Sequence, residues 1–143
     1  MRQTFALPGI IAVAALLAFA SPSFAESVHF QANLSGASEV PPNTSKGTGT
    51  VTATLDTATK ELTWKGSYSG LSGPATAAHF HGPAAAGKNA GVAVPIKSSA
   101  SPFEGSATLT DAQAADLTAG NWYVNIHTDA NKGGEVRGQL TKM

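Results

Sequence analysis

Ala77-Ala78-His79-Phe80-His81-Gly82-Pro83 is the stretch from which the fold is read. Side chains of an extended strand alternate between faces, so Phe80 turns to one side while His79 and His81 stand together on the other, about 7 Å apart. Gly82-Pro83 ends the strand, because proline has no N–H with which to continue a ladder. A second run, Trp122-Tyr123-Val124-Asn125-Ile126-His127, has the same grammar. Trp122, Val124 and Ile126 share one face, and His127 falls on the other with Tyr123 and Asn125.

The same alternation recurs on both sides of these two runs. Val28, Phe30, Ala32 and Leu34 alternate with His29, Gln31 and Asn33, which reads as a half-buried strand. The prolines of Ser38-Glu39-Val40-Pro41-Pro42 forbid regular pairing there. Residues 47–55 read as a Thr-rich strand and residues 61–68 as its return, with a polar turn at 56–60, together a hairpin. Residues 91–97 form a further strand with Val92, Val94 and Ile96 inward, Pro95 marking it as an edge or bulge. Residues 103–109 give a weaker strand, and residues 135–141 close the chain with Val136 and Leu140 inward. The one helical signal is at residues 111–117, capped by Thr110 and stopped by Gly120.

About eight short strands with no β-α-β rhythm make the fold class all-β, an antiparallel Greek-key sandwich or barrel with one short helical turn. The first residues stand outside it. Arg2, an apolar run over residues 10–20 and Ser23-Phe24-Ala25 have the form of a secretory signal peptide. Residues 1–25 are therefore expected to be cleaved and residues 26–143 to form one domain, exported to the periplasm or secreted. Without Arg2 that domain carries eight basic and nine acidic residues. So balanced a charge excludes the electrostatic footprint of a nucleic-acid or anionic-membrane binder. With no Cys, there are no disulfides, and stability must come from a packed core and a bound ion, if one is held.

Four segments in register resemble the CHRD domain, the module named after chordin and found alone in exported bacterial proteins. They are Ser38 to Pro42, Ala78 to Pro83, Tyr123-Val124-Asn125-Ile126-His127-Thr128 and Gly133-Gly134-Glu135-Val136-Arg137-Gly138-Gln139-Leu140. The likeness spans essentially the whole mature chain and departs at Phe80, where the family often carries a β-branched residue. It implies an exported β-sandwich and a binding role, with no enzyme mechanism attached.

The chemistry comes from the residues themselves. Three imidazoles on neighbouring strands, His79, His81 and His127, suit Zn(II) or Cu(II), with His29 as a weaker fourth candidate. The soft ligands of a dedicated Cu(I) site are lacking, since there is no Cys and one of the two Met residues lies in the leader. The reading is thus an exported copper- or zinc-binding protein for storage, delivery or sensing, whose partners are the ion and another exported protein. Two other readings stand beside it. One is a metal-free interaction module using its strand faces or residues 84–91. The other is a His₃ metalloenzyme with Glu39 or Glu135 as base and Asn125 or Thr128 orienting a ligand. Arg137 is expected to form a structural ion pair with Glu39 or Glu135. Trp64, Trp122 and Tyr68 fall in the apolar register and are expected in the core. There is no Gly-x-Ser-x-Gly elbow and no phosphate loop.

Overall fold

The structure is a computed structural model that describes residues 25–143. All but the last residue of the expected signal peptide lies outside the described residues. In chain order the elements are β1 (Ser27–Ser35), a 3₁₀ turn (Gly36–Ser38), β2 (Thr48–Asp56), β3 (Glu61–Ser69), β4 (Ala75–His81) and β5 (Val92–Ile96). There follow β6 (Phe103–Thr108), α1 (Asp111–Thr118), β7 (Tyr123–Thr128), β8 (Val136–Gln139) and β9 (Thr141–Lys142).

Every strand pair is antiparallel. The order across the sheet is β5-β4-β7-β8-β1-β2-β3-β6, with β9 beside β1. Neighbours distant in sequence, such as β4 with β7 and β8 with β1, give the crossing connections expected of a Greek key. β5 and β6 are consecutive in the chain yet lie at opposite edges of the sheet, joined by residues 97–102. So short a link is possible only if the sheet curls until its edges approach, as in a nearly closed barrel. The seam is tied by Tyr68 of β3, whose hydroxyl donates to the Ser99 carbonyl at 2.6 Å, and by Ser101, whose hydroxyl donates to the Tyr68 carbonyl at 3.0 Å.

Closure gives the barrel one interior. Phe30, Leu34, Val51, Leu55, Leu62, Phe80, Val124, Ile126 and Val136 are all buried in a single core with Trp64 and Trp122. Trp64 meets Phe80 edge-on at 5.1 Å between ring centroids, a favoured aromatic geometry. Gly82 must lack a side chain, because a Cβ there would sit 2.3 Å from the Trp122 ring. The helix starts as expected: Thr110 and Gln113 form a reciprocal capping box. Leu117 and Ala114 bury its inner side in the core. Among the described residues no helix is long and apolar enough to cross a membrane.

One inward assignment is corrected. Val92 is 53% exposed, whereas Val94 and Ile96 reach the core. The β4–β5 register shifts between Phe80 and His81, so the alternation of β5 does not carry through to its first residue.

Candidate metal centre

The outer face of β4, β7 and β8 is where the polar residues of these strands gather. Registry sets their neighbours: His79 lies opposite Asn125, which lies opposite Arg137, and His81 lies opposite Tyr123, which lies opposite Gln139. Outer does not mean exposed here. His81, Tyr123, Asn125 and Arg137 are all buried, because residues 39–47 and 82–91 fold back over this part of the barrel. Asn89 and Ala90 of the second loop bond directly to Arg137, His81 and Tyr123. The loop considered from sequence as a contact surface is thus engaged with its own sheet.

His79, His81 and His127 meet on this face. Each offers a ring nitrogen, and these three atoms lie within 4.8 Å of one another. His79 Nδ1 and His127 Nε2 are 3.1 Å apart, close to the roughly 3.3 Å edge of a tetrahedron with 2.0–2.1 Å metal–nitrogen bonds. His81 completes the group within the same 4.8 Å span. The other nitrogens of two rings are already fixed. His127 Nδ1 donates to the Lys132 carbonyl at 2.8 Å, and His81 Nδ1 faces the Ala90 carbonyl at 3.0 Å. A carbonyl holding one nitrogen's proton leaves the other nitrogen with its lone pair, the arrangement that metal-ligating histidines use. The charged forms are disfavoured: burial, and then the neighbouring imidazoles, hold His79 below the usual histidine range, and burial does the same for His81 against its two hydrogen bonds. Neutral rings are the form that binds a metal.

The fourth histidine is elsewhere. His29 lies on β1, where its Nδ1 is 3.0 Å from the Thr54 hydroxyl, and it does not join the cluster.

Tyr123 braces the site. Its ring stacks on His81 with centroids 4.8 Å apart and planes 4° from parallel. The Arg137 guanidinium lies 3.4 Å from the same ring's centroid. β7 sits between β4 and β8, so the phenol is clamped between imidazole and guanidinium, a cation–π contact on one side. The Tyr123 hydroxyl reaches both the N–H and the carbonyl of Ala90, at 3.2 Å each. The ion pair expected for Arg137 is not what forms. Its two terminal nitrogens donate to the Asn89 side chain at 2.9 Å and the Lys88 carbonyl at 2.5 Å. Among the described residues the one ion pair within 4.0 Å is Lys60–Asp111. Arg137 is therefore a clamp on the loop over the site, because stacking on Tyr123 aims its fork at backbone and amide oxygens.

The two glutamates differ sharply. Glu135 is fully buried, yet its carboxylate accepts four hydrogen bonds: from the Ser45 hydroxyl, the Ser72 N–H and hydroxyl, and the Thr128 hydroxyl. Burial alone would raise its pKa; these bonds outweigh it and hold the group at about 2. Thr128, weighed from sequence as a ligand-orienting group, serves this carboxylate instead. Glu39, 5% exposed, has a buried Oε1 with no hydrogen-bond partner. Burial pushes its pKa up to about 7, with Arg137 and Asn125 partly offsetting the cost.

Asn125 is the one candidate orienting residue that reaches the histidines, its Oδ1 lying 2.9 Å from His81 Nε2. The carbonyls of Ala90 and Lys132 were invisible to sequence reasoning, since backbone oxygens carry no residue signature.

A family model described as the CHRD domain matches residues 30–140. No curated protein and no solved structure matches the chain.

Proposed function

The chain belongs to the CHRD-domain family, and from that premise we propose that it is an exported protein that binds a single Cu(II) or Zn(II) ion through His79, His81 and His127. The observation that carries this reading is the convergence of three rings, with one ring nitrogen of each within 4.8 Å of the others and His127 held by Nδ1 on the Lys132 carbonyl so that its Nε2 meets His79 Nδ1. The carbonyl on His127 Nδ1 selects the tautomer that coordinates through Nε2. Imidazole donors without thiolate suit Zn(II) and Cu(II) over Cu(I). The roles that follow are storage, delivery or sensing of the ion, with a second exported protein as the source or recipient.

Competition with a coloured chelator tests this on the purified, metal-stripped protein. The wild type should withdraw one equivalent of Zn(II) or Cu(II), and the double variant His79→Ala/His81→Ala should withdraw none. Equal competition by the two proteins would sink the assignment.

A further inference from the structure

Resting on that metal-site reading, we propose that Asn125 supplies a fourth donor through its Oδ1, closing the coordination sphere so that the protein holds the ion without offering it to a substrate. Asn125 projects from β7 onto the same outer face as the histidines, directly opposite His79, and is 3% exposed.

His81 has two nitrogens facing oxygen. Its Nδ1 faces the Ala90 carbonyl at 3.0 Å and its Nε2 faces Asn125 Oδ1 at 2.9 Å. Both oxygens only accept, whereas a neutral imidazole has one N–H. A neutral His81 therefore satisfies only one of the two contacts, and a positive ion between Nε2 and Oδ1 satisfies the other.

The orientation of the Asn125 amide follows from its other end. Nδ2 donates toward the Gly133 carbonyl at 3.4 Å. The unpartnered Oε1 of Glu39 borders the same small space, since a Cβ on Gly134 would lie 2.3 Å from that oxygen and 2.6 Å from Asn125 Nδ2. With the Gly133 carbonyl on that side, the amide NH₂ is placed there and the oxygen toward the histidines.

A cation between His81 Nε2 and Asn125 Oδ1 would be bonded by both. The donor set then becomes His79 Nδ1, His81 Nε2, His127 Nε2 and Asn125 Oδ1, three nitrogens and one oxygen. The Gly133 carbonyl stands behind the amide, where a partner on Nδ2 strengthens the oxygen as a donor. Four protein ligands are the mark of a structural or holding site, whereas catalytic zinc sites keep one position for water or substrate.

Co(II), whose visible bands are intense when four-coordinate and weak at higher coordination, is the probe. It should bind the purified wild type with intense bands that added azide leaves unchanged. Asn125→Ala should bind Co(II) about 10- to 100-fold more weakly, with a spectrum that responds to azide because water fills the vacated position. Asn125→Asp, which restores an oxygen at the same reach, should recover affinity and azide resistance. An azide response from the wild type would overturn the closed sphere with no variant needed. Wild-type affinity and spectrum in a folded Asn125→Ala would overturn the ligand assignment while leaving the histidine site standing. No Co(II) or Zn(II) binding by the wild type would instead remove the underlying metal reading.

Discussion

Consider replacing Glu135 by glutamine in the metal-free protein. The native carboxylate is closed off from solvent and accepts four hydrogen bonds, at 2.7 Å from Ser45, 2.8 and 2.7 Å from Ser72 and 2.5 Å from Thr128. A carboxyl whose pKa falls from 4.5 in the unfolded chain to about 2 in the fold stabilises the native state by roughly 3 kcal/mol at neutral pH. The sign follows from proton counting. Between pH 2 and 4.5 the unfolded chain binds the extra proton, so this stability is fully present above the unfolded pKa and is lost as pH falls through the folded one. Glutamine keeps one acceptor but turns its NH₂ toward groups that already donate. At pH 7 its melting temperature should lie on the order of 10 °C below wild type, and the gap should close progressively from about pH 4.5 toward pH 2. Circular-dichroism melts of both proteins across pH 2–8 measure this. Equal melting temperatures at pH 7, or a gap that stays constant down to pH 2, would refute the claim that ionised Glu135 is what these hydroxyls stabilise.

Glu39 should behave in the opposite sense. Its folded pKa of about 7 lies above the usual 4.5, so the native state loses stability as pH rises between those values, by roughly 3 kcal/mol at most. Metal-free Glu39→Gln should therefore melt above wild type at pH 8 and with it at pH 4; a pH-independent difference would contradict this. Gly134→Ala should destabilise by about 2 kcal/mol or more. Gly134 has φ +127°, and a Cβ there would meet Glu39 Oε1 at 2.3 Å; a variant unfolding in denaturant at the wild-type midpoint would argue against the close packing of these groups. Metal affinity should fall steeply below about pH 6, as protons compete for the imidazoles. Zn(II) titrations at pH 5, 6 and 7 that give one affinity would exclude histidine ligation.

Much of this was legible in the sequence because strand alternation separates two faces without any knowledge of tertiary structure. The inward positions of Phe30, Leu34, Val51, Leu55, Leu62, Trp64 and Phe80 follow from period two alone. So does the placement of His79, His81 and His127 on the face away from the core. Val92 fails because a register shift is a property of the strand pair, not of β5. Arg137 fails for another reason. Alternation identifies the outer face but cannot reveal that residues 39–47 and 82–91 cover it, and under that cover Arg137 finds Asn89, Lys88 and Tyr123 in place of a carboxylate. The same covering makes Asn125 and Glu39 buried polar groups, although the register of Asn125 reads as solvent-facing. Those groups cluster beside the histidines, where a site that binds something is expected to strain local rules.

The most direct test of the three-histidine site is anomalous X-ray diffraction, at the zinc edge, from crystals of the protein grown with Zn(II). One strong peak is expected about 2.0–2.1 Å from His79 Nδ1, His81 Nε2 and His127 Nε2. No peak among these rings at saturating zinc, or a peak only at His29 or surface carboxylates, would contradict it.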